Sequence, residues 1–248
     1  PRKSREHRSG LKRLTVRGIR FDAAISGIRL LRSSPAAMTL TVEDCEFTAR
    51  NEIEATGVSD VQVRRCRMAK DCGTPGGISI HNFSRVSIED CEISMIPGTD
   101  FRTVISLSSP AADRIGDKAT VELTGNTIQF FENPAGTSFY TAEVDMSDDI
   151  DDIVLRGNDM PHVDFDLWGL SPIGTMTIVG NRLGGVEGDE YPDSVGPGRM
   201  FEAHHNVFSL IVRGWNPIRD FAPRAMRFSH NTFKGVDRVL LGGGSEYP

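Results

Sequence analysis

Two short acidic stretches have spacings suited to chemistry. AEVDM (142–146) carries Glu143 and Asp145, and VDFDLW (163–168) carries Asp164 and Asp166 with Trp168 close by. Carboxylates two residues apart share one face of a β-strand. If the two strands lie side by side, the four groups form one patch with neighbours about 5 Å apart. Like charges that close raise one pKa, so one carboxyl can act as an acid while another stays ionised. Glycoside hydrolysis needs such a pair. A calcium-assisted lyase can also use clustered carboxylates, with an Arg or Lys as base, so Ca2+ is the one cofactor to consider. Outward strand faces are polar by default, so plain solvation and non-catalytic ligand or cation binding stand beside catalysis as readings of the same patch.

Around this patch lie further candidates for binding. Trp168 offers a face to a sugar ring, and His81 in GISIHNF (77–83) falls on an alternating segment of the same kind. Arg213 and Trp215 in RGWNPIRD (213–220) have the chemistry to grip an anionic sugar, although a packing role suits the tryptophan equally. SDDIDD (147–152) lacks the spacing of an EF-hand and reads as a solvated turn. The adjacent His204 and His205 either face opposite ways or occupy a turn. The chain has no P-loop, no strand-coupled dinucleotide fingerprint, no zinc-protease helix and no serine-hydrolase elbow.

The elements that position these residues emerge from a repeated octet. LTVEDCEF (40–47), VQVRRCRM (61–68) and VSIEDCEI (86–93) share one pattern, in which the first, third and eighth places are apolar and the sixth is cysteine. The pattern recurs at 121, 153, 176, 201 and 226 with asparagine in the sixth place, and at 14 with Ile19 there, making nine copies. Most steps are 21 to 26 residues, with two longer ones of 35 and 32. A fixed period of this size signals a solenoid whose units bury their apolar faces by stacking. Alternation in the first three places is the period of a short strand, and the next two places, often Gly or a charged residue, suit a turn. Cys45, Cys66 and Cys91 thus hold the same position as Asn126, Asn158, Asn181, Asn206 and Asn231. A stack of buried thiols, a disulfide and a metal site are the three readings of the cysteines, and the shared role with asparagine favours the first. Cys72 lies outside the octets, in a turn-like stretch where an exposed thiol is expected.

The octet, with Asn or Cys before its last apolar residue, resembles the coil of a right-handed parallel β-helix of the pectate-lyase-like superfamily, over residues 14 to about 241. The resemblance implies an all-β solenoid of about nine coils with a Cys/Asn ladder. It also implies an active face on the first strand of each coil, between octets. The segments 27–31, 52–56, 77–83, 104–108, 141–147 and 163–169 then supply the strands, with LIVRGW (210–215) and RVLLGGG (238–244) continuing them. Their outward row comprises Arg29, Glu54, Ser79, His81, Ser106, the four carboxylates and Arg213. Residues 94–120, 129–152 and 184–199 read as insertions that wall a groove. The superfamily includes lyases, hydrolases, epimerases, phage tailspikes and adhesins, and no individual family's short motif is present. What the resemblance implies is a carbohydrate-active protein that cleaves or modifies a polysaccharide through Glu143, Asp145, Asp164 and Asp166. Substrate contacts fall to His81, Trp168, Arg213 and Trp215. The alternative is a non-catalytic spike or adhesin rod that binds glycans, as a trimer in some such proteins.

Composition bounds the rest. The 248 residues suit one solenoid domain over 14–248 after a basic arm or cap at 1–13, PRKSREHRSGLKR. A net charge of -6 argues against a general nucleic-acid partner, and no stretch is apolar enough for a membrane span. A solenoid exposes an apolar cross-section at each end, so a homo-oligomer or domains of a parent chain are expected as covers. The fold resemblance points to an extracellular, periplasmic or virion-associated setting.

Overall fold

The computed structural model describes residues 11–22, 26–48, 51–70, 77–95, 102–130, 142–147, 149–168, 174–188, 200–209, 218–219 and 225–234. Its strands form one continuous parallel stack, with a single short 3-10 turn at Ala111–Asp113 among the described residues. The fold is an all-β parallel solenoid.

Each coil presents three strand faces. On the octet face, Leu14 pairs with Leu40, Leu40 with Val61, Val61 with Val86 and Val86 with Val121. The series continues through Ile153, Met176, Phe201 and Met226 without a shift of register. A third face stacks the eighth octet residues, from Phe21 on Phe47 to Phe208 on Phe233. The first-strand face stacks Ile28, Ile53, Ile78, Ile105, Val144, Phe165, Val186 and Ile218.

The expected nine coils are too many. About six turns are complete in the sense that all three faces have a paired strand both above and below, namely those whose octets start at 61, 86, 121, 153, 176 and 201. The octets at 14, 40 and 226 belong to ends, where a face lacks a described neighbour. Burial follows this division. Val61, Val86, Val121, Ile153, Met176 and Phe201 are fully buried, as is Leu40 of the octet beside them, whereas Leu14, Val16, Met226, Phe228 and Phe233 of the outermost octets are only partly covered.

The octet's fifth place explains why the pattern tolerates so few residue types there. Gly18, Asp44, Arg65, Asp90, Gly125, Gly157, Gly180, His205 and His230 all have positive φ, between 49° and 66°. One left-handed residue turns the chain sharply from the octet face to the third face, a conformation that costs a non-glycine residue about 1–2 kcal/mol. Where the residue is Arg65, its guanidinium donates to Asp44 Oδ1 at 2.7 Å on the coil before. That hydrogen bond, aided by Arg17, holds the Asp44 carboxyl below the usual carboxylate range.

The sixth place points inward and carries the ladder. Asn158 Nδ2 donates to Leu123 O and to Asn181 Oδ1, both at 2.8 Å. Its Oδ1 accepts from the backbone N–H of Asn126 at 2.9 Å and from Asn126 Nδ2 at 3.0 Å. The same pattern links Asn181, Asn206 and Asn231. Buried polar groups at the turn are thereby satisfied in series. Cys45, Cys66 and Cys91 fill the slot as free, buried thiols that donate weakly to Glu43 O, Arg64 O and Glu89 O. Burial pushes the Cys45 thiol up, and its neighbour Cys66 together with burial does the same to Cys91. Cys72 lies outside the described residues.

Candidate functional site

The four carboxylate positions come together on the first-strand face. Strand Ala142–Ser147 pairs in parallel with strand Asp159–Trp168, and Glu143 falls opposite Asp164 while Asp145 falls opposite Asp166. The alternating partners Ala142, Val144, Met146, Val163, Phe165 and Leu167 are fully buried, which turns the acidic positions outward. Trp168 sits at the end of the same strand, opposite Ser147. Next to Glu143, the preceding strand Arg102–Ser108 carries a bulge between Thr103 and Ile105, which buries both Val104 and Ile105. Bulges of this kind locally re-aim side chains.

The acidic column runs further than the sequence reading placed it. Asp166 is followed on the next coil by Glu187, and Glu187 by Arg219. Residues 184–188 therefore belong to strand Arg182–Gly188 and not to an insertion. Two glycines made that segment read as loop, but Gly184 is needed where it lies, because a Cβ there would come within 2.6 Å of Val163 O. The outward row also ends differently. Arg219 in strand Ile218–Arg219 takes the position expected for Arg213, while Arg213 and Trp215 lie outside the described residues.

In the other direction, Asp145 is followed by Ser106, Ser79, Glu54 and Arg29. Arg29 Nε meets Glu54 Oε2 at 2.8 Å. His81 lies one column over, opposite Thr56 and Ser108, and its Nε2 is 2.9 Å from Ser79 Oγ.

Charge along the rest of the rod is interleaved. Arg17 opposes Glu43, Glu43 opposes Arg64, Arg64 opposes Glu89 and Arg67 opposes Glu92. Asp159 opposes Arg182, and Glu202 opposes Arg227 at 3.1 Å. Among the described residues, the acid-on-acid register pairs are Glu143 with Asp164, Asp145 with Asp166 and Asp166 with Glu187, and every other charged pair in register joins opposite signs. Like charges directly opposite are destabilising. The first-strand face thus breaks a rule the remainder of the sheet keeps.

The acidic run after Ser147 is not a solvated turn. Asp149 Oδ2 accepts from Ala111 N and Asp151 Oδ2 from Ala119 N, both at 2.7 Å, and Asp152 Oδ1 accepts from Thr175 N at 2.9 Å. Arg114, almost fully buried, pairs with Asp151 at 3.2 Å and donates to the backbone oxygens of Asp149 and Asp117. These contacts tie the loop after strand Arg102–Ser108 to the next coil. His204 bonds Ser229 at 2.7 Å, and His205 occupies the turn, stacked on His230 with centroids 4.7 Å apart. No group of three or more His, Cys, Asp or Glu suited to a metal ion occurs among the described residues. No described helix is long and apolar enough to cross a membrane.

No family model, curated protein or solved structure matches the chain.

Proposed function

We propose that this solenoid acts on a polysaccharide, hydrolysing a glycosidic bond with carboxylates of the acidic column on its first-strand face. The observation that carries the reading is the run of like-charged register pairs in a sheet that otherwise interleaves its charges. Carboxylates held on facing positions are the arrangement that acid and nucleophile chemistry at a glycosidic bond uses. The resemblance of the octet to pectate-lyase-like β-helices supports the same face and the same substrate class.

The chemistry follows from the spacing. Facing positions on neighbouring strands lie about 4.8 Å apart, within the range that brings carboxyl groups to the closer, retaining separation of about 5–5.5 Å. Asp145 and Asp166 flank the scissile bond in this reading. The carboxyl whose proton affinity its neighbour raises gives a proton to the leaving oxygen while the other attacks the anomeric carbon. Water, giving a proton back to the first carboxyl, then hydrolyses the glycosyl-enzyme and frees the second. Trp168, placed opposite Ser147 on the same face, is the aromatic residue proposed for an adjoining sugar, and the column from Ser106 to Arg29 offers hydroxyls and charges to further units. Long polymers suit such a face because it continues past the reacting centre in both directions.

Incubation of the protein with a panel of acidic and neutral polysaccharides tests the reading. New reducing ends without unsaturated products are expected. Unsaturated ends indicate a lyase on the same face. Binding without any product overturns catalysis and leaves a glycan-binding spike or adhesin rod.

A further inference from the structure

We infer that Ser79 and His81 form a nucleophile–base pair that hydrolyses small acyl esters, a second activity two rungs from the carboxylates. Ser79 Oγ lies 2.9 Å from His81 Nε2, within the reach that lets an imidazole take a hydroxyl proton. Both side chains are half-buried and stand on the outward side of the strand.

The scaffold holds this pair still. Strand Ile78–His81 is paired on both sides, by Ile53–Thr56 and by Ile105–Ser108, and its inward residues Ile78 and Ile80 are fully buried. Sites on paired strands keep their geometry better than sites on loops. The neighbouring outward positions are Ser106 and Glu54 opposite Ser79, and Thr56 and Ser108 opposite His81. In the proposed reaction the Ser106 hydroxyl, on the facing strand, donates to the carbonyl oxygen of the ester. Directly after His81 the chain turns at Asn82 with φ 57°. Every other described non-glycine residue with positive φ holds the fifth place of an octet, so this turn belongs to the first-strand face alone.

The reaction balances with water as the second substrate. Ser79 Oγ bonds to the ester carbonyl carbon as its proton passes to His81 Nε2. Collapse of the tetrahedral adduct expels the alcohol, which leaves with that proton. Water, deprotonated by His81, then attacks the acyl-serine and releases the carboxylic acid, and the returned proton restores Ser79. The cycle uses the neutral imidazole, with Nε2 accepting the proton of Ser79 Oγ.

The full chain is treated with a fluorophosphonate probe and, separately, with 4-nitrophenyl acetate. Labelling at one site that maps to Ser79 is expected, with loss of the label in Ser79→Ala. Ester hydrolysis is expected to fall about 10²-fold or more in Ser79→Ala and in His81→Gln. These residues face outward, so both variants should fold; unchanged urea unfolding confirms it, and Ser79→Cys should then react with iodoacetamide at that position. Absence of probe on Ser79, or hydrolysis unchanged by Ser79→Ala, overturns the inference. Neither probe contains a sugar, so the result does not depend on glycan cleavage.

Discussion

Replacing Asp166 by Asn should make the protein more stable. Asp166 is half-buried and stands in register between two other acids, Asp145 on one coil and Glu187 on the next. At about 5 Å, two unit charges interact by about 0.8 kcal/mol in water and about 3 kcal/mol at an effective dielectric of 20. Measured cross-strand effects lie near the lower figure, about 0.2–1 kcal/mol per pair. Removing the charge relieves the pair with Asp145, so a gain of about 0.5 kcal/mol is expected at neutral pH and low salt. Urea unfolding monitored by circular dichroism reads this as a higher midpoint at constant slope. The gain should shrink at 1 M salt, where screening cuts the repulsion. Glu202→Gln is the contrast, because it removes the partner of Arg227 and should destabilise slightly. If Asp166→Asn lowers the midpoint, or raises it equally at high salt, the like-charge argument is wrong.

Other expected outcomes bear on the frame. Asn158→Ala deletes a residue with four ladder hydrogen bonds and leaves buried donors on Asn126 without acceptors, a loss of about 3 kcal/mol, whereas Asn231→Ala at the half-buried end should cost about 1 kcal/mol; hydrogen exchange coil by coil separates them. Gly174→Ala places a Cβ 1.8 Å from Asp151 O at φ +132° and should cost several times the roughly 1 kcal/mol expected for Gly157→Ala, whose Cβ meets nothing within 4 Å, by the same unfolding assay. The native thiols of Cys45 and Cys91 should resist alkylation until unfolding. Because their folded pKa values are raised, the associated stability is full below the unfolded thiol value of about 8.5 and is lost as pH rises beyond it, which a pH series of urea midpoints checks.

The octet face was legible because each copy repeats the same short-range instruction. Alternation sets the strand, a left-handed fifth residue sets the turn, and the inward sixth residue must satisfy turn backbone. The sequence shows Gly at four of those nine turns, while Asp44, Arg65, Asp90, His205 and His230 disguise the other five as polar surface. The first-strand face was partly legible. Its hydrophobic alternation is clear in Ala142–Ser147, so the Glu143, Asp145, Asp164 and Asp166 positions could be aligned before the register was known. Glu187 and Arg219 were missed because loops between octets vary in length and because Gly184 and Gly185 carry no side-chain period. The Ser79–His81 bond could be suspected from their two-residue spacing, but its formation depends on rotamers the sequence does not show. The roles of Asp149, Asp151 and Asp152 in holding loop N–H groups were hidden for the same reason, since their partners lie 23 to 38 residues away.

The most direct measurement compares the wild-type protein with Asp145→Asn and Asp166→Asn in polysaccharide digestion, after unfolding curves show all three folded. The account predicts that both substitutions lower the rate of new reducing ends by about 10²-fold or more while leaving or raising stability. Cleavage at the wild-type rate in both variants would contradict it.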